Sequence, residues 1–222
     1  TGALTGLVYD ETGKRLYSTG ADGTLRTWTL PQVAPRSLAG HTMAVQAVEL
    51  SADGTIAVTG DAAGKVQLTV MNAAGAATAP KALAGQSGAV ATLALSKDKS
   101  LVASGSETGL IKLWNAADGS DRLSLAGHAG AVHDVVFRPD GKQIASAGAD
   151  GTIRIWNLPI APTTVAGHTM PVTDVAVDPK GTLMATASAD GTVRISQVAD
   201  GKFVRALVGH KGAVNAVSFS NT

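Results

Sequence analysis

Between Ala131 and Asn157 the apolar positions fall into three short runs, AVHDVVF (131–137), KQIASAG (142–148) and TIRIWN (152–157), separated by Pro139-Asp140-Gly141 and Asp150-Gly151. Runs of this length, rich in Val, Ile and small residues and bounded by turn formers, predict β-strands. Asp-Gly supplies the positive φ of a tight hairpin, so the second and third runs are expected to pair antiparallel. The spacing Val132, Val135, Phe137 breaks strict alternation once, which predicts a β-bulge near the start of the first strand. A fourth short run, such as RLSLAG (122–127), precedes each Gly-His pair. Apolar or small residues occupy both faces of these runs, as Ile153 and Ile155 against Trp156 illustrate, whereas a sheet with one wet face would alternate with polar residues. Each sheet therefore needs a neighbour on both sides.

The pattern recurs. STGADGTLRTWT begins at Ser18, SGSETGLIKLWN at Ser104, SAGADGTIRIWN at Ser146 and TASADGTVRISQ at Thr186. Gly-His or a variant stands at Gly40-His41, Gly85-Gln86, Gly127-His128, Gly167-His168 and Gly209-His210, a period of about forty-two residues. The predicted units are 1–39, 40–84, 85–126, 127–166 and 167–208, with a partial sixth, 209–222, that carries one further first strand, GAVNAVSFS (212–220). Four-stranded sheets packed radially, each against two neighbours, meet the demand for two covered faces.

Gly-His, Asp-Gly and a terminal Trp on this period resemble the WD-repeat (WD40) β-propeller family over essentially the whole chain. The resemblance implies an all-β fold of four-stranded antiparallel blades, here five full repeats plus one extra innermost strand. It also implies that His128, Ser146, Asp150 and Trp156 form the family's structural tetrad, a hydrogen-bonded chain across one blade. Unit one has Ser18, Asp22 and Trp28, its histidine position falling ahead of Thr1. Unit two has His41 and Thr59, with Ala63 and Thr69 where Asp and Trp belong; unit three has Ser104 and Trp114, with Gln86 and Thr108 substituted. Unit five has His168, Thr186 and Asp190 with Ser196 at the Trp position, and His210 opens the sixth. The residue chemistry agrees, since a buried His, Ser, Asp and indole N–H can satisfy one another as a closed network.

Serine, histidine and aspartate are also the nucleophile, base and orienter of a hydrolase. Repetition with decay argues against that role, because only unit four is complete and no second constellation supplies an oxyanion site. Metal binding is not expected either. His41, His128, His168 and His210 sit one per radiating blade and cannot converge on an ion, His133 stands alone, and the Asp-Gly turns lack the run of carboxylates that calcium loops require. No cofactor is implied.

Composition narrows the partners. The 222 residues are 45% hydrophobic and 16% charged with a formal net charge of +1, which argues against nucleic acid and membrane surfaces as partners. Basic residues recur in the third strands (Arg26, Lys65, Lys112, Arg154, Arg194) but without interleaved exposed aromatics, and their stems are expected to cap the seams between blades. With 4% aromatics and 26 glycines, the core must be Ala, Val, Leu and Ile packed closely. The absence of cysteine excludes a disulfide-stapled scaffold. A soluble, cytoplasmic chain is the default expectation, and a start at Thr1 leaves room for an N-terminal leader.

Family members mostly bind proteins or peptides around the mouth of the central channel. The corresponding positions here are largely alanine; the exceptions expected to carry contacts are Gln46, Glu107, His133, Thr173 and Asn215, with Met43 and Met170 as adaptable apolar neighbours. The expected function is a non-catalytic interaction scaffold, and the alternative is a hydrolase or small-ligand-binding propeller that uses the axial channel. Because 3–10 and 213–220 are both first strands, three arrangements remain open: a segment of a longer propeller, completion of a ring by other copies, or five-blade closure with His210 reaching Ser18, Asp22 and Trp28.

Overall fold

The computed structural model describes residues 3–9, 15–29, 36–38, 40–71, 77–158 and 162–220, and no helix occurs among them. Asp10 and Ala39, which end the first predicted run and the first unit, lie outside the described residues. The chain forms five four-stranded antiparallel sheets, each running in sequence order. Blade one contains β1 (Leu4–Tyr9), β2 (Arg15–Gly20), β3 (Leu25–Thr29) and β4 (Arg36–Leu38); blade two contains β5 (Val45–Leu50), β6 (Ile56–Asp61), β7 (Val66–Val70) and β8 (Lys81–Leu83). Blade three contains β9 (Val90–Leu95), β10 (Leu101–Ser106), β11 (Leu110–Asn115) and β12 (Asp121–Ala126). Blade four follows with β13 (Val132–Phe137), β14 (Gln143–Gly148), β15 (Ile153–Asn157) and β16 (Pro162–Val165), and blade five with β17 (Val172–Val177), β18 (Leu183–Ser188), β19 (Thr192–Gln197) and β20 (Phe203–Val208).

First strands lie side by side in the order β1, β5, β9, β13, β17 and mark the axis. Each carries the bulge expected from its spacing: the register against the second strand slips between Val132 and Asp134, and at the equivalent place in the other four blades. The hairpin turns behave as Asp-Gly requires, with Gly151 at φ 73°. At the matching Gly109 a Cβ would come within 2.6 Å of the His128 carbonyl, so this turn must be bare for the next blade's leader to pass.

The apolar core lies in the seams between the sheets. Period-two alternation sends Ile144 and Trp156 of blade four toward blade three, where they meet Leu101, Ile111 and Leu113, and sends Ala145, Ala147, Ile153 and Ile155 toward Val172, Val175 and Met184 of blade five. The seam between blades two and three repeats this with Trp114 against Val58, Val66 and Leu68, and Tyr17 and Leu25 meet Leu50 and Ala57 across the first seam. Small residues set the spacing, as at Gly60, where a Cβ would run into Val90 at 2.3 Å.

The ring is open, contrary to the arrangement in which five blades close and His210 reaches Ser18. Residues 213–220 lie instead along β17, where Val214, Val217 and Phe219 cover Ala185, Ala187, Val193 and Ile195 of blade five, and this burial draws His210 away from blade one. The segment is paired into no sheet, so it is not the strand expected. The basic side chains of the third strands have partners close to hand. Their charged heads bond within their own blades: Arg26 pairs with Asp22, Lys112 with Asp121, and Arg194 lies 4.3 Å from the centre of the Phe203 ring.

A seam filled by one indole should depend on it. Trp156→Ala is expected to cost about 3–5 kcal/mol in denaturant unfolding. Ser196→Ala, at the position of blade five that has no indole, is expected to cost less than about 1 kcal/mol. Equal losses would contradict the assignment of Trp156 as a seam residue.

Candidate functional site

In blade four the leader 127–130 crosses the turn that follows β14, and Ala129 N–H donates to Asp150 Oδ2 at 2.9 Å. Beneath it runs a continuous polar chain. Trp156 Nε1–H donates to Ser146 Oγ at 2.9 Å, Ser146 Oγ lies 2.8 Å from His128 Nε2, and His128 Nδ1 lies 3.1 Å from Asp150 Oδ1. A neutral imidazole with its proton on Nδ1 satisfies every partner at once. The environment favours that form, since burial lowers the His128 pKa against the pull of Asp150. Burial opposes the Asp150 carboxylate too, but the donors from Ala129, Thr152 and His128 together hold it well below the usual carboxylate range. Ser146 is completely enclosed, with the indole on one side and the imidazole on the other, so the trio has no surface on which a substrate could meet the hydroxyl.

The other blades vary this chain. His168 bonds Thr186 Oγ1 and Asp190 Oδ2, both at 2.9 Å, with no indole. Trp28 donates to Ser18 Oγ at 2.9 Å in blade one. In blade two His41 bonds Thr59 Oγ1 at 2.8 Å and Asp61 Oδ2 at 2.8 Å. Asp61 was missed by sequence spacing, which pointed to Ala63: it stands two residues after Thr59 instead of four, is fully buried, and also accepts the Ala63 and Lys65 amides that shape the turn. The signal was an aspartate where blades one, three, four and five have Gly20, Ser106, Gly148 and Ser188.

Blade three departs from the expected tetrad. Trp114 Nε1–H donates to the Ala84 carbonyl at 2.9 Å and not to Ser104, while Ser104 Oγ and Gln86 Oε1 are buried without a partner among the described residues. Gln86 turns its amide to the Leu110 carbonyl and Thr108 bonds Ser106. In blade three the Ala84 carbonyl thus takes the indole proton that Ser18 and Ser146 take in blades one and four.

The predicted mouth residues share one rim. There the residue before each turn donates its amide to the carbonyl at the start of the same blade's first strand: Ala21 to Ala3, Ala62 to Ala44, Glu107 to Ala89, Ala149 to Ala131 and Ala189 to Pro171, at 2.8–3.1 Å. Gln46, Glu107, His133 and Asn215 are exposed on this rim, and Met43 and Met170 are each 50% exposed. Thr173 is half-buried, its hydroxyl donating to the Val214 carbonyl at 2.6 Å.

Sequence reasoning overlooked three acids on the first strands. The first strands share no ladder hydrogen bonds, so side chains stitch them. Thr5 donates to the Val45 carbonyl, Glu49 accepts the Leu95 amide, and Asp134 accepts the Thr92 hydroxyl at 2.9 Å and the Val175 amide at 3.1 Å. Asp174 accepts the Val217 amide at 2.6 Å. Glu49 and Asp134 line an axial cavity of about 490 Å³ with Leu93, Phe137, Arg138 and Phe219. Burial raises the Glu49 carboxyl to about 7; burial and contact with the Asp174 carboxyl raise Asp134 to about 8. Among the described residues no group of three His, Asp or Glu side chains is arranged to hold a metal ion, and no helix is long and apolar enough to cross a membrane.

Two predictions follow from these contacts. Asp61→Ala should destabilise by about 1–3 kcal/mol, comparable to Asp190→Ala, because each strands a buried imidazole nitrogen; denaturant midpoints of the two variants decide this. The folded chain also holds a proton on Asp134 that the unfolded chain releases in the ordinary carboxylate range, so this group stabilises at acid pH and its contribution fades as pH rises through about 8. Asp174→Asn, whose amide can donate to the Asp134 carboxylate while its oxygen keeps the Val217 amide, should flatten the loss of stability measured from pH about 6 to about 9.

Comparison with known proteins agrees with the architecture. The family model described as WD domain, G-beta repeat matches residues 1–29, 33–68, 79–115, 119–157 and 161–195. No curated protein matches the chain. With five repeats matched over most of its length and five four-stranded sheets to correspond, the chain belongs to the WD domain, G-beta repeat family.

Proposed function

We propose that this protein is a non-catalytic scaffold that presents the rim around its axis to a protein or peptide partner. WD repeats generally serve protein–protein interaction. The observation that carries the reading here is the rim itself, where backbone bonds in five blades fix a shallow floor of alanines from which Gln46, Glu107, His133 and Asn215 project and beside which Met43 and Met170 stand. Such a floor admits a partner backbone closely, and the polar side chains around it set its register. Thr173 contributes by fixing the edge of the rim at Val214. The burial of Ser146 and His128 favours a structural role for the polar chain over hydrolysis.

A second reading has one observation in its favour. The axial cavity lined by Glu49 and Asp134 is large enough for a small ligand. The two readings separate by mutation: Glu107→Ala with His133→Ala should abolish capture of rim-bound partners while leaving the fold intact, and Glu49→Gln should not affect it. Undiminished capture by the rim double variant would sink the scaffold reading.

A further inference from the structure

The first strands start at the rim and end away from it, and two cavities open where they end. The axial cavity of about 490 Å³ is lined by Leu95, Phe137 and Val177 at the ends of β9, β13 and β17, and by Lys97, Arg138 and Pro179 in the turns that follow. A second cavity of about 440 Å³ lies beside it, bounded by Leu50 and Asp53 of blade two and Lys99 of blade three. Glu49, Leu95 and Lys97 line both, so Glu49 stands where the two meet.

Glu49 is poorly provided for. Its carboxyl accepts the Leu95 amide, and among the described residues no lysine or arginine pairs with it. Asp134, the other acid deep in the axial cavity, is better supplied. One of its oxygens accepts the Thr92 hydroxyl, the other the Val175 amide, and the Asp174 carboxyl lies against it. Asp178 is turned to the Thr182 and Leu183 amides. The cations nearby are engaged or stand at the mouth: Lys99 pairs with Asp53, Arg138 lies 3.6 Å from Asp140, and Lys97 is exposed on its turn. Glu49 is thus an acid drawn out of water with no counter-ion, and burial accordingly raises its carboxyl to about 7.

Building on the reading in which the axial cavity takes a small ligand, we propose that this ligand is an alkylammonium ion, its ammonium paired with Glu49 and its carbon stem laid on Leu93, Ala94 and Val136. The ammonium supplies the charge partner that Glu49 lacks and donates to carboxylate lone pairs that the Leu95 amide leaves open. An anion would instead be repelled once Glu49 ionises. The site lies at the opposite end of the axis from the rim and is independent of what the rim binds.

Calorimetric titration of the whole chain with pentylamine, pentanol and pentanoate tests this, because the three probes share one carbon stem and differ in the head group. Pentylamine is expected to bind, with the other two at least about ten-fold weaker. Glu49→Gln, whose side-chain oxygen can still accept the Leu95 amide, should weaken pentylamine by about ten-fold or more. Since the ammonium displaces the Glu49 proton, affinity should rise by up to about ten-fold per pH unit toward about 7 and level off above it. This profile is read on the unaltered chain and stands whether or not Glu49→Gln folds. Pentanol or pentanoate binding as tightly as the amine overturns the alkylammonium assignment and leaves a ligand cavity. No binding by any of the three overturns the ligand cavity as well. Amine binding that neither Glu49→Gln nor pH alters overturns the seating on Glu49.

Discussion

A β-sheet with two apolar faces cannot stand alone in water, and everything else in this molecule answers that constraint. Blade four buries Ile144 and Trp156 toward blade three and Ala145, Ala147, Ile153 and Ile155 toward blade five, so the apolar core resides in the seams. The small residues are part of the same answer, because a seam that holds Val90 against Gly60 has no space for larger side chains on both sides. At roughly 25 cal/mol per Å² of apolar surface, no single sheet offsets the entropy of ordering its own residues, which is why the repeat is stable only as an array.

The polar chain within a blade is subordinate to those seams. It fixes the leader over the turn and orients the indole that fills the seam behind it, as Trp156, Ser146, His128 and Asp150 do in blade four. Its variation follows the seam as well. Blade five keeps histidine, threonine and aspartate without an indole, and blade three keeps the indole but anchors it to a backbone carbonyl. A set of groups this interchangeable is held by what it connects, and none of its members needs to meet a substrate. The rim residues Gln46, Glu107, His133 and Asn215, by contrast, are exposed, and the proposed recognition rests on them.

Much of this was legible in the sequence, and the limits are instructive. The strands, their bulges, the positive-φ turns and the blade-four network all follow from short-range patterns, which act within one unit where spacing maps directly onto geometry. What escaped was either a substitution within one unit or a contact set between units. Asp61 serves its histidine from an unexpected position because the buried ring accepts a carboxylate from either end of the turn. Ser104 and Trp114 look like network members, but the Ala84 carbonyl takes the indole N–H and leaves the Ser104 hydroxyl without a partner among the described residues. Glu49, Asp134 and Asp174 read as ordinary strand residues, since nothing in a single repeat reveals that unpaired first strands need side chains to stitch them. The open ring was undecidable from spacing, because residues 213–220 and 3–10 are equally good first strands and only the apolar face of blade five decides where the former lies.

The three tryptophans offer the most direct test of the claim that the seams hold the fold. Trp114 and Trp156 fill seams, whereas Trp28, in the same register, faces the open end of blade one. Hydrogen exchange of the three indole N–H groups should find Trp114 and Trp156 protected to the level of global unfolding and Trp28 exchanging far faster. Exchange of Trp156 as rapid as that of Trp28 would contradict the account.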